Sequence, residues 1–198
     1  MTLNVQAQVV EIRYDTPKQQ DKFLVDTNVW LLYYSLASTP GSSYQDYKYT
    51  PYIKEAIYAM SSLFYCGLSL AEIAHVVEQK EREIFSPTLA LKEYRHNYPP
   101  QRDKVVRKVK NIWNSVKRTG RSADISINKD TTQAALTRLP TQLLDGYDLF
   151  IVEAMNKAGV DKIITNDMDF VTVPDILVFT ANEKATNVAR SQSKLLVR

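Results

Sequence analysis

The sequence predicts an α/β protein, a parallel sheet covered by helices. Three observations predict it. Short apolar, β-prone runs at Lys22–Asp26, Lys162–Thr165 and Ile176–Thr180 alternate with longer segments whose apolar residues recur at helical spacing. The chain, at 198 residues with 44% hydrophobic and 24% charged side chains, can bury one full core and has the composition of an ordinary globular domain. No internal repeat or low-complexity tract points to another architecture. Parallel strands joined through helices require right-handed crossovers. The domain is expected over residues 22–180, with an N-terminal extension at 1–21 and a mobile basic tail at 181–198 carrying Lys184, Arg190, Lys194 and Arg198.

Taken in order, Val5–Ile12 hints at a strand inside the extension, Lys22–Asp26 is a short buried strand, and Asn28–Ser35 opens a helix. Ser38–Thr50, rich in Ser, Pro, Gly and Tyr, has loop composition. Pro51 suits a first helical turn, and Ile53, Ile57, Met60 and Phe64 predict a helix to Cys66 stopped by Gly67. Ser69 opens the next helix, with Leu70, Ile73, Ala74, Val77 and Ile84 on its core side. Between Pro87 and Pro140 the chain reads as a long helical middle. Within it Val105, Val106, Val109, Ile112, Trp113 and Val116 make Pro99–Gly120 an amphipathic helix, in which Trp113 is a packing residue. A helix at Asp148–Ala158 closes on Gly159, Lys162–Thr165 is a strand, Asp167–Val171 a turn, and Ile176–Thr180 the last strand.

Several classes of function are excluded or disfavoured. No apolar run approaches the ~20 residues of a membrane span, and the N-terminus lacks a basic segment followed by an apolar one, so a cytoplasmic protein is expected. With Cys66 alone and only His75 and His96, neither an intramolecular disulfide nor a Cys/His zinc site can form. Five glycines compose no phosphate-binding loop. Any metal would be held by oxygen.

In a parallel sheet the functional crevice lies beyond the carboxyl ends of the strands. Asp26 ends the first predicted strand, Asp167 follows another, and Glu72 and Asp148 lie in first helical turns that can face the same rim. Each has an ordinary structural use. Asp26 can cap the next helix, Glu72 can close a capping box with Ser69, Asp148 can complement a helix dipole, and Asp167 can cap a turn. Asp169 is divided between a fifth acid and a solvated residue, and His75 is expected to be a packing or surface histidine. If the four acids do meet, they repel one another unless a cation joins them; all-oxygen ligation suits Mg²⁺ or Mn²⁺, and such sites hydrolyse phosphodiesters.

FLVDTNVW (Phe23–Trp30), LSLAEIAHVVE (Leu68–Glu78), GYDLFIVEAMNKAG (Gly146–Gly159) and IITNDMDF (Ile163–Phe170) resemble, in order, the four motifs of the PIN-domain ribonucleases, and within that family the VapC-like toxins of toxin–antitoxin systems. The resemblance implies a three-layer α/β/α sandwich with a central parallel sheet and a metal-dependent endoribonuclease acting on single-stranded or structured RNA. It makes Asp26, Glu72, Asp148 and Asp167 the metal-binding catalytic acids, Asp169 an additional metal ligand, and Asn28 and Thr165 supporting residues. It also implies a cognate antitoxin and a homodimer as partners. The chain departs from the small toxins in its extra residues at 1–21 and between Ala37 and Tyr52, and in its long middle. A fold that binds RNA or protein without catalysis, and a DNA-directed flap-type nuclease, are the rival readings.

Gln101–Arg121 carries eight basic residues, Arg102, Lys104, Arg107, Lys108, Lys110, Lys117, Arg118 and Arg121, against one acid, Asp103. It is locally +7, leaving −4 for the rest of a +3 chain, a polarity that suits either a phosphate backbone or a solvated helix face. The tyrosines of Tyr44–Tyr58 can stack on unpaired bases or pack.

Overall fold

The structure is a computed structural model that describes residues 3–36 and 46–198. Its strands are β1 (Gln8–Glu11), β2 (Lys22–Val25), β3 (Ser62–Cys66), β4 (Arg121–Ala123), β5 (Lys162–Ile164), β6 (Leu177–Thr180) and β7 (Leu195–Leu196). Its helices are α1 (Thr27–Leu31), α2 (Asp46–Tyr58), α3 (Ser69–Phe85), α4 (Leu91–Asn97), α5 (Pro99–Thr119), α6 (Lys129–Arg138), α7 (Gly146–Ala158) and α8 (Glu183–Ser191). The strands form one parallel sheet in the order β4-β3-β2-β5-β6-β1-β7.

Neighbouring residues of each central strand face opposite layers, as the period of two demands. Phe23, Val25, Ile164 and Phe179 join a core with α1–α5, whereas Leu24, Ile163 and Val178 join a second core with α6–α8. The architecture is the α/β/α sandwich around a parallel sheet. Chain order runs outward from β2 through β3 to β4 on one side, and from β5 to β6 on the other. The reversal therefore falls between β2 and β5, where a parallel sheet opens a crevice at its carboxyl edge.

Several expectations need correction. The helix predicted from Pro51 to Cys66 is two elements: α2 begins at Asp46, encloses Pro51, and gives way to β3 after Met60 turns the chain with φ of 58°. Ser62–Cys66 then pairs with β2, because the apolar β-prone SLFYC run is worth more inside the sheet than as a helix end. Part of the predicted loop is thus helix, and 37–45 lie outside the described residues. Leu70 and Ile84 of α3 are exposed, not core-facing. The boundaries at 21 and 180 do not delimit the sheet. β1 of the extension pairs with β6, β7 pairs with β1, and α8 packs its Ala185 and Ala189 into the second core. Nor is the basic tail mobile at its end: the Arg198 guanidinium donates to both Asp15 and Asp21 at 2.7–3.0 Å and lies 4.5 Å from the Phe179 ring.

Candidate active site

Asp26 leaves the end of β2 with an extended backbone, and its two oxygens do different work. Oδ1 accepts from the Thr27 amide at 2.6 Å and caps α1; Oδ2 accepts from Thr165 Oγ1 at 2.5 Å and Asn28 Nδ2 at 2.6 Å. The cap reading holds for this residue, whose other oxygen joins it to Thr165 and Asn28. Asn28 also bridges to β5's edge, because its Oδ1 accepts from the Asn166 amide at 3.2 Å. Thr165 in turn accepts from the Asp167 amide at 2.9 Å, and Asp167 accepts from the Asp169 amide at 2.8 Å. Asn28 and Thr165 therefore lock the ends of the two strands on either side of the topological reversal.

Glu72 does not close a capping box: α3 has no side-chain cap, and Glu72 instead accepts from the Thr27 hydroxyl. That bond ties α3 to the first residue of α1. Asp148 lies in the first turn of α7, as its dipole reading requires, while Asp145 caps the helix by accepting from the Tyr147 and Asp148 amides at 2.9 and 3.1 Å. Asp148 is 6% exposed as a residue, and its carboxyl makes no hydrogen bond among the described residues.

The electrostatics show which of these groups meet. Burial, reinforced by Glu72 and Asp167 and opposed by the Thr165 hydrogen bond, pushes the Asp26 carboxyl up to about 7. Burial and the charges of Asp26, Asp145, Asp167 and Glu72 push Asp148 up to about 9. Glu72 is raised by burial, Asp145 and Asp167, and Asp169 by burial, Asp167 and Asp145. Asp26, Glu72, Asp148 and Asp169 thus each feel the charge of at least one other acid at the carboxyl ends of β2 and β5, with Asp145 and Asp167 acting on most of them.

Among the described residues no three Asp, Glu, His or Cys side chains converge into a ready-made ion cage. The donor set nevertheless has the chemistry of a hard-cation site. It is all oxygen, and it includes the buried Asp148 carboxyl without a hydrogen-bond partner. Mg²⁺ keeps several waters and needs only one or two direct carboxylates, so loosely gathered acids suit it.

Three contributors were not foreseen. In the sequence Thr27 reads only as a possible helix start, and Asp145 is not singled out. Tyr49 fell in the predicted loop, yet its buried hydroxyl lies 3.0 Å from Thr165 O, Asn166 Oδ1 and Thr180 Oγ1, bracing the β5 edge. Tyr49 and Tyr52 are buried, so they are not base-stacking surfaces; Tyr44 and the side chain of Tyr47 lie outside the described residues.

The basic helix α5 is divided. Arg102 pairs with Glu78 at 3.0 Å, and Lys104 and Lys108 pair with Glu81, whereas Arg107, Lys110, Lys117, Arg118 and Arg121 are exposed and make no ion pair among the described residues. Trp113 packs edge-on against Tyr65 at 5.2 Å, the packing role expected of it. No helix is long and apolar enough to cross a membrane among the described residues.

No protein-family model matches the chain, nor does any curated protein. Among solved structures it is similar to one described as the crystal structure of VapBC2 from Rickettsia felis bound to a DNA fragment from their promoter. The match is at 11% identity over 79% of this chain and 96% of that one with a TM-score of 0.44, and a superposition that loose carries no inference.

Proposed function

We propose that the chain is a divalent-metal-dependent endoribonuclease of the PIN type, hydrolysing RNA phosphodiesters at the crevice beyond β2 and β5. Mg²⁺ or Mn²⁺ would be held by Asp26, Glu72, Asp148 and Asp167, with Asp169 at the edge. The observation that carries this reading is Asp148, a buried carboxyl without a hydrogen bond, facing other carboxyls and relieved of capping by Asp145. Held protonated by burial and by its acidic neighbours, this carboxyl can ionise only when a cation joins it, which is the demand a metal site meets.

When bound, a divalent ion neutralises the acids, makes a water more acidic and draws charge from a phosphoryl oxygen. The chain's own residues hold the geometry. Thr165, Asn28 and Thr27 fix the Asp26 and Glu72 oxygens, and the Thr165 hydroxyl fixes the backbone that presents Asp167. The reaction forms a bond from a water oxygen to phosphorus, breaks the bond to the leaving ribose oxygen, and moves the water's proton to that oxygen.

The preference for RNA and the toxin role come from the motif resemblance. As a toxin the chain would meet a cognate antitoxin covering the crevice, and would pair as a homodimer. The five basic side chains of the 102–121 run that make no ion pair among the described residues suit a phosphate backbone.

The test is cleavage of a generic single-stranded RNA by the wild type and by Asp26→Asn in Mg²⁺, Mn²⁺ or EDTA. Metal-dependent cleavage that falls by ~10²-fold or more in the variant, whose circular dichroism is unchanged, is expected. Absence of cleavage together with absence of calorimetric Mn²⁺ binding by the wild type would overturn the reading.

A further inference from the structure

Between the first turns of α3 and α7 lies a cavity of about 380 Å³ lined by Ala71, Glu72, His75, Val76, Asp145 and Tyr147. Its volume is within the ~300–1,000 Å³ of small-ligand sites. One wall is the acid site itself, because Glu72 lines it and Asp145 acts electrostatically on both Glu72 and Asp148. The other wall is ring and hydrocarbon. His75 follows Glu72 by one turn of α3, and Tyr147 immediately precedes Asp148 and is 46% exposed. Neither ring is hydrogen-bonded or stacked on another among the described residues. Asp145 spends Oδ1 on the two α7 amides, leaving Oδ2 without a partner.

We propose that this cavity receives the nucleobase next to the cleaved phosphate of an unpaired RNA, stacked on Tyr147, with its exocyclic amino group donating to Asp145 Oδ2. The assignment of the phosphate rests on the nuclease reading above; the base site itself does not. A carboxylate accepts hydrogen bonds and cannot donate them, so Asp145 favours the bases whose pairing edge carries an exocyclic amino group, adenine, cytosine and guanine, over uracil, which offers a single ring N–H between two carbonyls. Base pairing buries that edge, which makes the pocket a filter for single strands. Stacking on one aromatic ring is sequence-tolerant and supplies the affinity, while Asp145 supplies the choice.

The experiment is fluorescence anisotropy of short labelled oligonucleotides with the full chain in Ca²⁺, which neutralises the acids. The probes are oligo-C, oligo-U and an oligo-C made abasic at its central position. Oligo-C is expected to bind best, and removal of the base or Tyr147→Ala to weaken it by about five-fold or more, with Tyr147→Phe close to wild type. Asp145→Asn keeps the helix cap but turns a donor toward the base, and should move the preference toward oligo-U. Equal affinity for the abasic and intact probes, or no effect of Tyr147→Ala, overturns the base site even if the wild type cleaves RNA. Base-dependent binding by a protein that cleaves nothing upholds it while the nuclease reading falls.

Discussion

Asp148 is the residue at which stability and the proposed activity would oppose each other. Burial holds its folded pKa at about 9, far above the 3.8 of a free aspartate, so the metal-free fold keeps a proton that the unfolded chain releases. The stability associated with that proton is complete below about pH 4 and drains as the pH climbs toward 9. Metal-free Asp148→Asn should therefore be more stable than the wild type at pH 8, with the two converging near pH 4. Mg²⁺ should raise the wild-type melting temperature more than the variant's. A variant no more stable at pH 8 would remove the electrostatic strain claimed for the site. The sequence made Asp26, Glu72, Asp148, Asp167 and Asp169 legible as acids near strand and helix ends, because such ends are marked by local composition. It did not reveal Thr27, Tyr49 or Asp145. Their roles depend on which hydroxyl or carboxylate a distant element presents to them, and local patterning carries no such information.

At the scale of elements, two buried acids join α3 to α4 and α5, Glu78 under Arg95 of α4 and Arg102 of α5, and Glu81 under Lys104 and Lys108 of α5. The Arg95 hydrogen bond and the neighbouring guanidinium charges hold the Glu78 carboxyl below its ordinary range. Its contribution is thus present above about pH 4.5 and lost as the pH falls further. Glu78→Gln should cost ~1–3 kcal/mol at neutral pH, a figure discounted because the arginines are nearly half exposed, and the cost should shrink in acid. Urea titrations at pH 7 and pH 4 would decide it, and an equal loss at both would point to packing instead. The same pairs divide the basic run, so Lys117→Ala, a change at an unpaired position, should lower the salt slope of RNA binding by ~0.7, and Lys108→Ala by less. The amphipathic pattern announced α5 plainly, whereas β3 read as the end of a helix and β4, three residues long, left no period to detect.

For the whole molecule, Arg198 fastens the β7 side of the fold to the segment that leads into β2. Its guanidinium satisfies Asp15 and Asp21, both nearly inaccessible, and Asp21 is held down at about 2 by this contact and by Lys162 against the penalty of burial. Arg198→Ala should lower stability by ~3 kcal/mol in urea because it leaves two interior carboxylates short of charge; a loss below ~0.5 kcal/mol would show the clamp to be ornamental. The parallel sheet was legible because its central strands are apolar and bounded by turns. β1 was hinted at by Val5–Ile12 but its place in the sheet was not, since pairing of Gln8 with Leu177 is written nowhere near either residue. That pairing has a kinetic consequence. A strand whose only neighbours are synthesised at the far end of the chain must wait for them with its edge bare, and loop closure over such a separation is slow. Refolding should accordingly be sluggish, and during that delay the QVVE strand is the segment most open to joining another molecule's sheet instead of its own.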